Sequence, residues 1–300
     1  MTAARRWGVR WLARAGLVVV GLLVLAGVWE AYKSFGPAAG VTVLGATILP
    51  RTTDAAMPHL SSVGRAFSAP EVGGAITFGP TTSVLDSVVD ACLHTLRWAA
   101  VGFVIGVVVG LLLALLMDRL VVAERALLPY VVLSQTVPLI ALAPLVTRWG
   151  QGSSIGSLQW QPWMSVAVIA AYLAFFPVAV GMVRGLKSAT AVHLDWFRCS
   201  AAGWWRTLLL LKLPSSLPYL VPSLRLAAAA AVVGTIVAEI STGLEGGIGR
   251  LIITYAQQAT GDPSRTYAAV LGAAVLGLAA AAVVSLADVA LWRYTRGGEA

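Results

Sequence analysis

The chain has 300 residues, 58% of them hydrophobic and only 11% charged, and its mean hydropathy is +0.83. Soluble domains carry about 25% charged residues, so this balance excludes the ordinary soluble classes and makes the chain an integral membrane protein. The net charge of +8 would suit a nucleic-acid surface, but the basic residues are spread over short polar segments with no soluble domain to carry them, which argues against nucleic-acid binding.

Crossing a bilayer takes about 20 mainly apolar residues. In chain order, 15–29 is apolar but bounded by Arg14 and Glu30, so those side chains must snorkel or the interfacial Trp11 and Tyr32 must extend the span. The basic residues ahead of it also look like a secretion signal, yet no small-residue cleavage site follows closely, and the run is read as a mature span. Residues 98–117, 126–147, 163–183 and 267–287 give uncharged spans. Residues 223–242 give a further one if Glu239 is tolerated in or near the bilayer, making six helices. With the N terminus inside, fourteen of the 21 Lys and Arg residues fall on inner segments and seven on outer ones, which places both termini in the cytoplasm.

After the first span, residues 34–90 read as a Gly-, Pro-, Ser- and Thr-rich outer segment with apolar pieces at 41–49 and 59–67. Residues 68–80 read as a loosely ordered insertion. The segment either touches an external partner or simply connects. Span two carries Gly102, Gly106 and Gly110 at every fourth position, a stripe that lets another helix approach closely or that reflects a Gly/Ala-rich composition.

Span three holds Ser134, Gln135 and Thr136 at mid-span, followed by Pro138 and Pro144. Polar side chains and freed carbonyls at that depth must face protein or a water-filled path, and broken helices near a midplane are where transporters place substrate contacts. Gln135 could equally bond a neighbouring helix. Tyr172 in span four can line such a path or pack with its hydroxyl tied to a carbonyl. Glu239 near the end of span five is a functional candidate by its cost, unless it sits beyond the headgroups.

Between spans four and five, Asp195 to Pro214 mixes charge with helical periodicity. At 3.6 residues per turn Asp195, Arg198 and Ala202 share one face and Phe197, Ala201, Trp204 and Leu208 another, predicting one short amphipathic helix that ends on Leu213-Pro214, where the proline stops or kinks it. It either lies in the headgroups or is a handle for another protein. The segment 243–250 is Gly-rich but is no phosphate-binding loop, since it lacks the Gly-Lys-Ser/Thr ending and a preceding strand. Turns into a short outer helix at 251–258 suit it better. His59, His94 and His193 lie in separate segments without ligand spacing, so neither a metal site nor a catalytic set is predicted. Cys92 and Cys199 fall on opposite sides and are not expected to pair.

The Asp195–Pro214 stretch resembles the cytoplasmic coupling loop of bacterial ABC-importer permeases: Glu-Ala-Ala, three residues, Gly, nine residues, a hydrophobic residue, any residue, Leu-Pro. Asp195 stands at the Glu, Trp196 and Phe197 at the two Ala, Ala201 at the Gly and Leu211 at the hydrophobic position; Gly203 comes two residues late. The run from Leu213 to Ala227, the run from Val232 to Ile240 and the Ser134–Leu145 stretch look like the same family, in its nitrate/taurine/sulfonate branch and nearest the permeases for thiamin-pyrimidine precursors or riboflavin, and the Ile48–Pro50 and His59–Phe67 pieces look like its short outer helix.

The resemblance implies an all-α fold of six transmembrane helices with type I importer architecture. It implies one permease domain over 1–300: tail and first span 1–33, outer segment 34–90, a five-span core 91–292 with the coupling loop at 184–222, and a tail 293–300. Partners implied are ABC ATPase subunits that bind ATP-Mg, a second permease as homodimer or heterodimer, an extracytoplasmic solute-binding protein and membrane lipid. The chain itself would be no enzyme and would hold no cofactor. Asp195, Arg198, Ala201, Ala202, Gly203, Trp205, Arg206 and Pro214 would couple to the ATPase. Ser134, Gln135, Thr136, Pro138, Tyr172 and Glu239 would line the path. The competing expectation is a carrier driven by an ion gradient, with Glu239 titrating.

Overall fold

A computed structural model describes residues 3–43, 46–71, 83–152, 154–155, 158–259 and 262–296. Helices dominate. In order they are α1 (Ala3–Phe35), α2 (Leu60–Ala66), α3 (Val84–Arg119), α4 (Val121–Ser134), α5 (Leu139–Gly150), α6 (Pro162–Leu186), α7 (Ala191–Cys199), α8 (Trp204–Thr207), a π turn (Leu208–Lys212), α9 (Leu213–Thr242), α10 (Ile248–Gln257) and α11 (Ser264–Arg296). Two antiparallel hairpins add to this all-helical expectation: β1 (Val41–Val43) with β2 (Ala46–Leu49), and β3 (Ser154–Ile155) with β4 (Leu158–Gln159). The first takes the apolar 41–49 piece, whose β-branched Val41, Thr42, Val43 and Thr47 favour extended backbone.

Among the described residues four helices are long and apolar enough to cross a membrane: Val84–Arg119, Pro162–Leu186, Trp204–Thr242 and Ser264–Leu286. A fifth span results if the bent pair Val122–Ser134 and Leu139–Gly150 counts as one. The insertion expected at 68–80 falls, from residue 72, outside the described residues, as do the side chains of Trp11 and of the basic residues before it and those of the C-terminal Arg293 and Arg296.

The chain divides into two compact units. The first comprises residues 1–87 and 254–268. Here the end of α1 is tied to the segment that follows. Trp29 Nε1 donates to the Pro58 carbonyl at 3.1 Å and Tyr32 to that of Pro50 at 2.9 Å. Glu30 accepts from the Leu60 N–H at 2.7 Å, at the start of α2, where a carboxylate meets the positive end of the helix dipole. Lys33 pairs with Asp54 at 2.7 Å and its hydrogen bond holds that carboxyl below the usual carboxylate range. Tyr255 donates to Glu71 at 3.1 Å, and burial beside that carboxylate pushes the phenol up to about 12. Of the two pieces that resemble the family's short outer helix, 59–67 holds α2, whereas Ile48 and Leu49 end the strand β2, a correction.

The second unit comprises 88–253 and 269–300. Its core is the α6–α9 pair with α3 laid against α6. Ala170, Ala174 and Val178 of α6 are buried with Ala227 and Ala231 of α9. The glycine stripe does what close approach requires: a Cβ on Gly106 would stand 2.7 Å from the Ala174 Cβ, and one on Gly110 2.7 Å from the Phe175 carbonyl. Even a methyl group there would force the helices apart.

The 126–147 stretch is broken, with α4 and α5 meeting at a bend of 102°. Pro138 lacks an N–H and biases Val137 away from helical backbone, so the chain turns there. The expectation of one helix over 195–214 is corrected: the stretch breaks at 200–203, and Pro214, expected to stop or kink the helix, lies one residue inside α9 within a helical run that continues from Trp204 to Thr242. The π turn absorbs the proline: the Leu213 N–H reaches back to the Leu208 carbonyl, and the Ser215 hydroxyl serves the carbonyls of Leu211 and Lys212 at 2.8 and 3.0 Å.

Candidate functional site

Between the long α6 and the long α8–α9 run lies a short polar segment with α7 at its centre. The nine residues of α7 include no buried one. Asp195 and Arg198 pair with each other at 2.9 Å across one turn, both largely exposed, as the i,i+3 spacing predicts. Trp196 packs edge-on against Phe197 at 5.8 Å and is itself 67% exposed. A helix that hides nothing is not held by its own core.

What ends α7 is a Schellman turn. The Ala202 N–H bonds the Phe197 carbonyl at 3.0 Å and the Ala201 N–H that of Arg198 at 2.9 Å, the paired 6→1 and 5→2 bonds of that motif. Its central residue is left-handed, and here that is Ala201, with φ 50°. The resemblance puts glycine at this same position. The departure from the family pattern therefore leaves the backbone turn in place at the cost of a strained alanine. Gly203, at φ −66°, is the N-cap of α8 and needs no glycine conformation.

From Gly203 onward the segment is anchored. Trp204 Nε1 donates to Asp118 Oδ2 at 3.3 Å, and Lys212 Nζ reaches Oδ1 and Oδ2 of the same carboxylate at 2.7 and 3.0 Å. The Arg119 guanidinium stacks over the Trp204 ring at 5.1 Å. Leu208, between the two donors, is buried with Ala114 and Met117 of α3 and Met182, Val183 and Leu186 of α6. Ala202 is half-buried, while Trp205, Arg206 and Pro214 are exposed. Asp118 and Lys212 were not singled out from sequence; the signal was an acid in the last turn of a long apolar helix, where the dipole disfavours it.

The polar triplet forms the corner of the bent pair. Tyr172 of α6 donates to the Ser134 carbonyl there, Ser134 Oγ bonds Val131 O at 2.8 Å, Gln135 Nε2 bonds Ser134 Oγ at 3.2 Å and Thr136 Oγ1 bonds Leu133 O at 2.8 Å. Pro138 caps α5 from extended backbone. Ser134 and Gln135 are half-buried and Thr136 exposed, so the structure brings Tyr172 and the triplet together.

Glu239 is held elsewhere. It is fully buried, accepting from Thr95 Oγ1 at 2.8 Å and from the Gly249 N–H at 3.0 Å. Thr95 Oγ1 also accepts from the Ile248 N–H at 2.9 Å. Three elements thus meet on one carboxylate: α3, α9 and the first turn of α10, which follows the 243–247 turn opened by Gly243 at φ 71°. Gly247 leaves no room for a side chain beside the carboxylate. The short helix expected at 251–258 is α10. Thr95 was missed from sequence because a lone threonine in a span carries no pattern.

The family model described as "Binding-protein-dependent transport system inner membrane component" matches residues 106–293, more than half of the chain. The formylaminopyrimidine transport permease protein ThiX of Halalkalibacterium halodurans is 40% identical over 116 residues, 39% of this chain and 43% of that one. The riboflavin transport system permease protein RibX of Chloroflexus aurantiacus is 31% identical over 130 residues, 43% of this chain and 44% of that one. The chain thus spans less than half the length of these curated relatives. Among solved structures, a chain of an amino acid ABC transporter crystallised with histidines superposes with a TM-score of 0.53 at 17% identity, over 69% of this chain and 98% of that one; this likeness concerns the fold.

Proposed function

The chain belongs to the family of binding-protein-dependent transport system inner membrane components, membrane transport subunits, and from that premise we propose that it is the permease of an ATP-driven importer. It has six spans, α1 supplying the first, with both termini cytoplasmic and lipid around the apolar faces. The α7–α8 segment fits a cleft of a separate ATPase subunit that binds ATP-Mg and hydrolyses it. Asp195, Arg198 and Arg206 supply polar contacts, Trp205 apolar ones, and Ala201, Ala202, Gly203 and Pro214 the shape of the segment. Two permeases, alike or unlike, stand over two ATPases, and an external binding protein delivers the solute. Nucleotide-driven closure of the ATPases moves the attached helices as rigid bodies.

The observation that carries this reading is α7, a nine-residue helix with no buried residue between two spans, followed by a segment firmly fastened to α3. The path for the solute runs past the corner of α4 and α5, where Ser134, Gln135, Thr136, Pro138 and Tyr172 gather. A small polar organic solute, with an aromatic nitrogen heterocycle as the chemistry shared by the two named relatives, is the cargo.

The test is a pulldown in mild detergent from the native host, comparing the wild-type chain with Asp195→Lys/Arg206→Glu. An ATPase identified by mass comes down with the wild type and is reduced at least tenfold with the variant. Absence of any ATPase from the wild-type sample sinks the importer reading and brings forward an ion-gradient carrier using Glu239.

A further inference from the structure

Asp118 is in an awkward place for a carboxylate. It occupies the last turn of α3, where the helix dipole is negative, and its side chain is only 6% exposed. Removing such a charge from water costs several kcal/mol in real proteins, a cost that only close and well-directed partners offset. The hydrogen bonds it receives from Trp204 and Lys212 come from the element that follows α7. The rest of that contact is the Arg119 guanidinium over the Trp204 ring at 5.1 Å and Leu208 against Ala114 and Met117, and stacking and apolar packing of these kinds tolerate small sliding. Hydrogen bonds to one carboxylate from two donors eight residues apart do not, because they fix both distance and direction.

We propose that Asp118 is a positioning residue that passes movement of the α7–α8 segment to α3, so that α3 is pulled with the segment while α6 is pulled through the chain itself. The inference rests on the coupling reading above and deepens it. Motion entering at α7 reaches α6 through the short 187–190 connection. To reach α3, which is distant in sequence, it needs a link across space, and Asp118 supplies one that is stiff and directional. With Asp118 neutral, Leu208 still packs on Met117 and the ATPase still finds α7, but the drive to α3 slips.

The native Cys92, half-buried on α3, lies 26 residues from Asp118, about 39 Å along the same helix, and reports on that helix far from the link. The experiment uses the full chain with its co-purified ATPase in lipid nanodiscs, in a Cys199→Ser background. The rate of maleimide labelling at Cys92 is compared without nucleotide and with ATP-Mg plus vanadate. The background protein gives rates that differ threefold or more between the two states. Asp118→Asn brings that ratio below 1.5 while bound ATPase and ATP hydrolysis stay within twofold of the background protein. The exchange Asp118→Lys/Lys212→Asp, which restores a pair of opposite charges, returns the ratio above twofold.

A threefold ratio preserved in Asp118→Asn overturns the inference, as does a ratio of one in the background protein. Loss of bound ATPase from Asp118→Asn that the exchange does not restore makes Asp118 a folding residue and overturns it too. If the unmutated chain retains no ATPase, the coupling reading itself has failed. That outcome is seen in the pulldown, before any labelling.

Discussion

Two buried carboxylates divide the labour in this molecule. Glu239 is wholly enclosed, and a hydroxyl and a backbone N–H donate to it. Asp118 is nearly as buried, but its partners are an ammonium and an indole on the segment that follows α7. The first arrangement joins three elements at a point, and nothing in it favours one direction of motion. The second joins α3 to one segment, whose far end, α7, has no buried residue at all. On the coupling reading proposed above, the protein is fixed at the Glu239 end of α9 and driven at the other, with α3 contributing to both contacts through Thr95 and Asp118.

The strongest test of the fixed end is Glu239→Ala. It orphans the Gly249 N–H and leaves a void between α3 and α9, and each unmet buried group costs about 1–3 kcal/mol, so a loss of about 3–4 kcal/mol is expected. Thermal unfolding of the purified protein in detergent reads it as a fall in midpoint. Glu239→Gln, which retains an acceptor oxygen and the volume, loses about 1 kcal/mol by the same reasoning. If Glu239→Gln instead leaves the midpoint unmoved and abolishes uptake, the clasp is not structural and the ion-gradient reading gains.

At the driven end, Lys212→Met is the sharper substitution, because it keeps the stem that packs and removes only the ammonium. The Asp118 carboxylate, 6% exposed, then keeps the Trp204 N–H alone. Breaking a fully buried pair costs about 3–5 kcal/mol, and with Lys212 18% exposed water recovers part of that, leaving about 2 kcal/mol. A drop in unfolding midpoint smaller than that of Glu239→Ala is the expected order. A larger drop would mean that the link to α3 holds the fold more than Glu239 does.

The spans were legible because their signal is compositional: long uncharged runs are read from hydropathy alone, and α3, α6, α9 and α11 contain the runs so identified. The glycine stripe was legible as a period and ambiguous as a contact until the alanines of α6 stood opposite. Breaks were harder. Pro138 read as a break within a span and Pro214 as a stop or kink, yet one turns the chain by 102° and the other sits inside a continuous helix, because Ser215 and a π turn absorb the missing N–H. The Lys212–Asp118 and Thr95–Glu239 contacts were not legible, since the partners lie 94 and 144 positions apart and no local periodicity encodes such pairings.

The smallest expected effect concerns the one residue where the coupling resemblance and the backbone meet. Ala201 sits left-handed at the centre of a Schellman turn, a conformation that costs an L-residue about 1–2 kcal/mol and glycine almost nothing. Glycine also gains freedom in the unfolded chain, which offsets part of the benefit, so Ala201→Gly stabilises the turn by about 0.5–1 kcal/mol. Because α7 buries nothing, this gain belongs to local opening rather than to global unfolding, and the melting midpoint is the wrong readout. Hydrogen exchange at the amides of Ala202 and of residue 201, which make the two turn bonds, should slow by about two- to fivefold. Unchanged or faster exchange would show that the segment does not hold this turn when free. The segment would then be shaped only when its partner binds, and the contrast with the fixed Glu239 end would be one of order as well as of attachment.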